Sequence, residues 1–245
     1  MKSTIADVKS RAAVEANPYF AELERGAFER EDFVETQVQF FSAVAFFPRA
    51  LAMVAARLPR PGLRLALLTN LADEHGGGDL ARSHEATFLE LLARLGVPAG
   101  EVARRARWPE ARAFTTTLTG LCACDDVPTA IAALGIIEDL FSGISARLGR
   151  GIVANGWLAA PDLVHYRTHE ALDVEHAGDL YRLVEPAWSS GPRERYRIAQ
   201  GLELGAYAFL ELYRGLWAAR ARRWTRDLDG PPDFAGGWWS DEPPV

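Results

Sequence analysis

The sequence contains little cysteine and no surplus of positive charge. Its 245 residues include only two cysteines, Cys122 and Cys124, and the formal net charge is −6. Two thiols cannot form a disulfide framework, and at this spacing a helix would point them away from each other, so we expect two small core residues. Because no basic surplus is available to pair with phosphates, the composition argues against a nucleic-acid or anionic-membrane binder.

Long uninterrupted apolar runs are also lacking. The most apolar stretch, residues 40–58, is broken by Pro48 and Arg49, and residues 1–13 are polar and mixed in charge. Residues 1–13 lack the apolar segment of a secretory signal, and the interruption at Pro48 and Arg49 argues against a membrane span in the apolar stretch. We therefore expect a cytoplasmic protein that does not contact a membrane.

The alternation of apolar and polar residues that marks strands is missing, which predicts an all-α protein. Ala, Leu, Arg and Glu dominate, and apolar residues repeat every three or four positions. Between Gly- and Pro-rich breaks we predict helices at about 17–25, 31–57, 62–75, 79–95, 110–123, 128–148, 161–184 and 192–224.

The predicted helices form one domain, residues 1–228, because no linker or internal repeat divides them. Residues 229–245 form a separate tail rich in Gly, Pro and Trp, which we do not expect to be helical. Its tryptophans either dock on the bundle or on a second copy in a homodimer, or belong to a partly disordered terminus.

A helical motif, His169-x3-Asp173-x2-His176, is the most informative feature. At 100° per residue these three side chains lie within about 60° of one another on one helix face. Two imidazoles and a carboxylate on one face are typical of a metal site. Two unrelated surface histidines would give the same spacing, although the whole chain has only five His.

Glu138 lies in the middle of an apolar stripe formed by Ile131, Leu134 and Phe141. A carboxylate buried in such a stripe must be paired with a cation, hydrogen-bonded, or bound to a metal. The sequence leaves open whether the partner is an arginine or a metal ion.

Glu74 and His84 show the same pattern on either side of a glycine-rich break. The segment Gly76-Gly77-Gly78-Asp79 ends one predicted helix and starts the next, with Asp79 as its N-cap. An uninterrupted helix would place the two side chains about 80° apart, and the break lets both turn toward one centre. A lone His84 would otherwise be read as an ordinary core histidine.

Together these positions predict three carboxylates and three imidazoles around one centre. The set is Glu74, His84, Glu138, His169, Asp173 and His176. Mixed N and O ligands suit iron or manganese, and six protein ligands are too many for one ion with open positions, so two ions fit better. We expect Glu138 or Asp173 to bridge them, with Asp162 and His165 either supporting the ligands or exposed.

These residues resemble those of the heme-oxygenase-like diiron oxidases. The resemblance rests on residues 70–79, on His84 and Glu138, and on the His169-x3-Asp173-x2-His176 motif. That family comprises iron-containing redox enzymes related to the thiaminase TenA and the quinone synthase PqqC. The resemblance implies a single heme-oxygenase-like bundle of seven to eight helices.

The resemblance also implies an activity. An enzyme of this kind binds two Fe(II) ions, or Mn, uses O2 as co-substrate, and oxidises a small organic substrate in a biosynthetic or tailoring pathway. An amino acid or another carboxylate is our default substrate. Candidate pocket walls, with the aromatic positions equally consistent with plain core, are Phe40, Phe41, Phe46, Phe47, His165 and Tyr166.

Two other functions remain open at this point. A TenA-like thiaminase or hydrolase would need a cysteine nucleophile, for which only Cys122 and Cys124 are available, and no histidine adjoins them in sequence. A metal-free ligand-binding or regulatory protein is the other alternative, but a basic DNA-recognition helix is missing.

Overall fold

The computed structural model describes residues 1–226, and this part of the chain contains ten α-helices and no β-strand. The predicted all-α class is confirmed. The helices are α1 (Lys2–Ala12), α2 (Pro18–Glu24), α3 (Arg30–Arg57), α4 (Pro61–Glu74), α5 (His84–Arg94), α6 (Ala99–Arg104), α7 (Pro109–Cys124), α8 (Val127–Ala154), α9 (Val164–Ser190) and α10 (Pro192–Ala219). The predicted tail, residues 229–245, lies outside the described residues, as do 227 and 228.

The predicted count of seven to eight helices is wrong within residues 1–226, because two short helices escape a periodicity argument. Helix α6 has only six residues, and α1 buries only Ile5 and Val8. Three predicted helix ends are also wrong, and one of them is that of α10, which ends at Ala219 rather than at residue 224. Helix α8 continues to Ala154 because Gly151 packs against the Leu23 side chain rather than ending the helix, and α9 continues through Pro186 to Ser190.

The link between α4 and α5 consists of two 3₁₀ turns, Gly76–Gly78 and Leu80–Arg82. All three glycines have positive φ angles, of 68°, 65° and 96°, a backbone conformation that other residues rarely adopt. Asp79 caps the second 3₁₀ turn, and the Ser83 side chain caps α5, so this helix begins at His84 rather than at the predicted residue 79.

Helix α8 lies at the centre of the bundle and packs along both α9 and α10, while α3 contacts α4, α5, α7 and α8. The first turn of α8 is capped by the Asp126 side chain, which accepts a hydrogen bond of 3.1 Å from the Thr129 backbone N–H. Helices α3 and α8 are long and apolar enough to cross a membrane. However, 67% and 78% of their most apolar windows are buried inside the bundle, as in core helices.

Two glycines allow α10 to lie directly against the backbone of α8. A Cβ atom added at Gly201 would lie 2.3 Å from the Thr129 carbonyl oxygen, and one at Gly205 would lie 2.5 Å from that of Ala133. Both distances are shorter than any real contact. The absence of side chains at these positions therefore sets the distance between the two helices.

We expect Gly201→Ala to lower the free energy of unfolding by about 1–3 kcal/mol, because a backbone carbonyl cannot rotate away from the added methyl group. Gly120→Ala is the matched control: it lies in α7 with no atom within 4 Å, and should be neutral or stabilising by about 0.5–1 kcal/mol. Urea unfolding of both variants checks the contrast, and equal effects would contradict it.

Candidate metal centre

The structure brings the six predicted ligand residues together in the core between α4, α5, α8 and α9. Glu74 is the last residue of α4, His84 is the first of α5, and Glu138 lies in the middle of α8. The other three, His169, Asp173 and His176, lie on the inward face of α9. All six side chains are buried, and so is His165, one turn before His169.

Glu74, Glu138 and His176 form one group whose potential ligand atoms all lie within 4.8 Å of one another. The His176 Nδ1 atom lies 3.8 Å from a Glu138 carboxylate oxygen and has no hydrogen-bond partner. Its other ring nitrogen, Nε2, lies 3.2 Å from Asp73 Oδ2. One imidazole and two carboxylates thus converge, with Asp73 holding the ring from behind.

His84, His165 and His169 form a second group, and their ligand atoms also lie within 4.8 Å of one another. The His84 ring is stacked on the His169 ring at a centroid distance of 4.0 Å, and the His165 ring lies 4.6 Å from that of His169. The sequence prediction placed His165 with the pocket walls or supporting residues. The structure instead places it among the potential ligands.

Asp173 belongs to neither group, but it contacts His169 of the second group. Its Oδ1 atom lies 2.9 Å from His169 Nδ1, and its Oδ2 atom is buried without a hydrogen-bond partner. Glu74 has the corresponding role for His84, whose Nδ1 contacts the Glu74 carboxylate. The two groups therefore share one network of carboxylates and imidazoles.

Burial and mutual repulsion shift the titration of this network. Burial, together with the negative charge of neighbouring carboxylates, raises the pKa of Glu138 and the pKa of Asp173 well above their ordinary values. Burial, with the adjacent imidazole of His84, holds the pKa of His169 well below its ordinary value. In the protein without metal, burial thus favours the neutral forms of Glu138, Asp173 and His169.

Glu74 and His84 are the exception, because each stabilises the charge of the other. Burial opposes both charges, but the attraction between the two groups outweighs it, so the pKa of Glu74 is lowered and that of His84 is raised. Glu138 has a different partner: its carboxylate accepts a hydrogen bond of 2.9 Å from the Asn70 amide.

The donor set fits a metal centre. Among the seven donor residues, four buried atoms lack a hydrogen-bond partner: His84 Nε2, His165 Nε2, Asp173 Oδ2 and His176 Nδ1. Unpartnered buried polar atoms are rare and costly, and several of them facing one space indicate a ligand. Imidazole nitrogens combined with carboxylate oxygens are donors suited to iron, manganese or zinc.

Three supporting residues were missed by the sequence analysis: Asn70, Asp73 and Thr87. Asn70, Asp73 and Glu74 share one face of α4 at i, i+3 and i+4, a spacing that was available as a signal. Thr87, whose hydroxyl lies 3.1 Å from His165 Nδ1, gave no signal, because its partner is 78 positions away in the sequence.

The predicted pocket walls divide into two sets. Phe40 and Phe47 line a cavity next to His84 and Glu138. Phe41 packs against Phe88 at a ring distance of 6.1 Å, and Tyr166 donates a hydrogen bond to Gln37, whereas Phe46 is only partly buried.

The two cysteines differ. Cys122 is fully buried, and burial raises the pKa of its thiol to about 12. Cys124 is the last residue of α7 and is exposed to solvent. The expectation that both cysteines are core residues is therefore wrong for Cys124.

A model of the family described as iron-containing redox enzymes matches residues 34–210, a range that includes all seven buried donor residues. The chain belongs to this family. The resemblance stated from the sequence is thereby confirmed at the level of the family.

Other proteins are similar to this chain in sequence or in fold. A 4-aminobenzoate synthase of Chlamydia muridarum is 22% identical over 198 residues, which are 80% of this chain and 83% of the relative. A Shewanella denitrificans domain of unknown function with a heme oxygenase-like fold has a TM-score of 0.72 at 14% identity, covering 87% of this chain and 90% of its own. A TenA homologue of P. horikoshii OT3 has a TM-score of 0.66 at 16% identity, covering 89% and 98%. The heme-oxygenase-like fold is thus confirmed.

We expect Glu138→Gln to stabilise the metal-free protein by on the order of 1–3 kcal/mol at pH 7, because the amide needs no charge and still accepts the Asn70 hydrogen bond. The direction of the pH dependence follows from the raised pKa of Glu138 in the folded protein. The free energy of unfolding of the wild type is highest below the ordinary pKa of about 4.5 and falls as the pH rises toward the pKa of the folded state. The gain should therefore grow between pH 5 and pH 8.

Thermal unfolding in the presence of a chelator measures this effect. Glu170→Gln on the exposed side of α9 is the matched control and should show no such trend. A gain for Glu138→Gln that does not depend on pH would contradict the titration argument.

Proposed function

We propose that the protein is a non-heme diiron oxidase or oxygenase that uses O2 to oxidise a small organic substrate. The observation that carries the proposal is the presence of two adjacent three-residue donor groups in one buried core. A single ion would leave one group unused. Membership of an iron-containing redox family supports iron as the metal.

The residues divide the work. Glu74, Glu138 and His176 would hold one ion, and the His84 and His169 imidazoles would hold the second, with Asp173 free to bind either. Bound iron supplies the activation of O2, which protein side chains do not carry out alone. Asn70 and Asp73 orient Glu138 and His176 from behind, as supporting partners commonly do at metal sites.

A narrow apolar cavity adjoins the donors and is the proposed substrate pocket. Its volume is about 30 Å³, close to that of one water molecule, so its aromatic walls would have to move apart to admit a substrate. Its lining residues are Phe40, Ala43, Val44, Phe47, His84, Phe114, Ile137, Glu138, Phe141 and Phe209. Apart from His84 and Glu138 these are apolar, so the walls exclude water from the side on which the substrate would react.

The cavity changes the default substrate class. Among the described residues that line it, none is Lys or Arg, so the cavity offers no cation to a substrate carboxylate. We therefore propose that an apolar or aromatic part of the substrate occupies it, and that any charged group lies outside. The name of the chlamydial relative, 4-aminobenzoate synthase, is compatible with an enzyme that handles such a group.

We expect Glu138→Ala and His176→Ala each to reduce bound iron from about two ions per chain to one or fewer, and to abolish O2 consumption. Both side chains belong to the carboxylate-rich group, so its affinity should fall without loss of the helical fold. Anaerobic loading with Fe(II), metal analysis and an oxygen electrode provide the measurements, and circular dichroism reports the fold.

Cys122→Ser is the control for the hydrolase alternative. A buried thiol with a raised pKa is a poor nucleophile, so this variant should retain iron and turnover. Wild-type iron content in both ligand variants would contradict the diiron proposal, and loss of all activity in Cys122→Ser with iron still bound would favour a TenA-like hydrolase.

We expect Ala43→Leu to block the proposed substrate pocket without changing the iron content, because Ala43 lines the cavity and is not a donor. In wild type, apolar or aromatic compounds should accelerate O2 consumption more than amino acids of equal size, and the substitution should remove most of that acceleration. Ala52→Leu, on the exposed side of α3, is the control. Equal acceleration in Ala43→Leu and wild type would overturn this pocket.

A further inference from the structure

His165 is fully buried and lies in the first turn of α9, yet the predicted ligand set leaves it without a role. Its Nδ1 atom lies 3.1 Å from the Thr87 hydroxyl oxygen, and its Nε2 atom has no hydrogen-bond partner. A buried histidine that packs as an ordinary core residue has partners for both nitrogens. One nitrogen of His165 is therefore held in place while the other is left unpaired.

The Thr87 hydroxyl determines which nitrogen carries the proton. Its oxygen lies 3.0 Å from the Ser83 carbonyl oxygen and 3.1 Å from that of His84, and both of these atoms can only accept. The single hydroxyl hydrogen is therefore directed at the backbone, and the hydroxyl oxygen accepts a hydrogen bond from His165 Nδ1–H. This tautomer leaves a free lone pair on Nε2, as required of a neutral imidazole ligand.

The two neighbouring histidines have the same arrangement. The Nδ1 atom of His84 contacts the Glu74 carboxylate, and that of His169 lies 2.9 Å from Asp173 Oδ1. An oxygen partner on the rear nitrogen is the usual support of a metal-binding histidine. The three rings lie 4.0–4.9 Å apart, and one ring nitrogen of each lies within 4.8 Å of those of the other two. With every Nδ1 held by an oxygen partner, Nε2 is the nitrogen that each ring can offer to an ion.

We propose that His165 is an additional metal ligand, which completes a three-imidazole site with His84 and His169 beside the carboxylate-rich site. This inference rests on the proposed diiron function and extends its ligand set by one residue. It makes the two sites chemically unequal, since one has three nitrogen donors and the other has mainly oxygen donors. Three imidazoles favour late first-row ions such as Co²⁺ and Zn²⁺ over Mn²⁺.

Co²⁺ binding to the full-length protein tests the proposal, because its visible spectrum reports the ligands without any turnover. In wild type we expect two Co²⁺ sites of unequal affinity. In His165→Asn the affinity of one site should fall by about 10- to 100-fold while the other keeps its value. X-ray absorption should show one imidazole fewer among the ligands.

Two further variants separate ligation from packing. Thr87→Val keeps His165 but removes the partner of its Nδ1, and should weaken the same Co²⁺ site by about tenfold. His75→Asn removes an exposed histidine that lies one residue from Glu74, and should leave both sites unchanged. If His165→Asn fails to fold, Thr87→Val and the X-ray absorption spectrum of wild type decide the question.

The outcomes distinguish this inference from the proposed function. Two Co²⁺ sites with wild-type affinities and spectra in His165→Asn would overturn the role of His165 and leave the diiron proposal intact. Failure of wild type to bind any ion would overturn both. A loss of one site in both His165→Asn and Thr87→Val, with His75→Asn unaffected, supports the three-imidazole site.

Discussion

The burial of three carboxyl groups and four imidazoles in a single core is the constraint on which the rest of this structure depends. Each group would cost several kcal/mol if left charged and unpaired in an apolar interior. The structure meets part of this cost with internal pairs, such as those joining Glu74 to His84 and Asp173 to His169. These pairs satisfy one atom of each imidazole and leave the opposite nitrogen available, so the same contacts that make burial tolerable also prepare the site for a ligand.

Aromatic side chains next to the donors form the walls of the apolar cavity, which His84 and Glu138 also line. Phe141 lies one turn after Glu138 on α8, and its ring contacts His169 at 5.9 Å on one side and Phe209 at 5.9 Å on the other. Phe40 completes the set, at 5.8 Å from Phe141. Rings of this size have few conformers and pack rigidly, so the boundary between the polar and apolar parts of the site is fixed by α3, α8 and α10.

Helical periodicity made much of the site predictable. The spacing of His169, Asp173 and His176 fixes a common face whatever the tertiary structure, and Glu138 interrupts an apolar stripe that has to be buried. Contacts between distant segments were not predictable in this way. The partnership of Thr87 with His165 depends on how α5 packs against α9, and the apolar cavity arises from five helices at once.

The helix boundaries show a similar limit. Glycine and proline often end helices, yet Gly151 lies inside α8 and Pro186 lies inside α9. For Gly151 the structure supplies the reason, since the Leu23 side chain occupies the place of the missing Cβ atom. A glycine selected for close packing cannot be told from a helix terminator without knowing which residue faces it.

The order of the donors along the chain has a consequence for metal binding outside the native state. Four of them, His165, His169, Asp173 and His176, lie within twelve consecutive residues, and Glu74 and His84 are separated only by a short glycine-rich loop. Such tethered donors keep a high effective concentration even when the bundle is unfolded, so the denatured polypeptide should retain some capacity for chelation. Metal ions would then protect the native state against heat by less than their affinity for the assembled centre suggests.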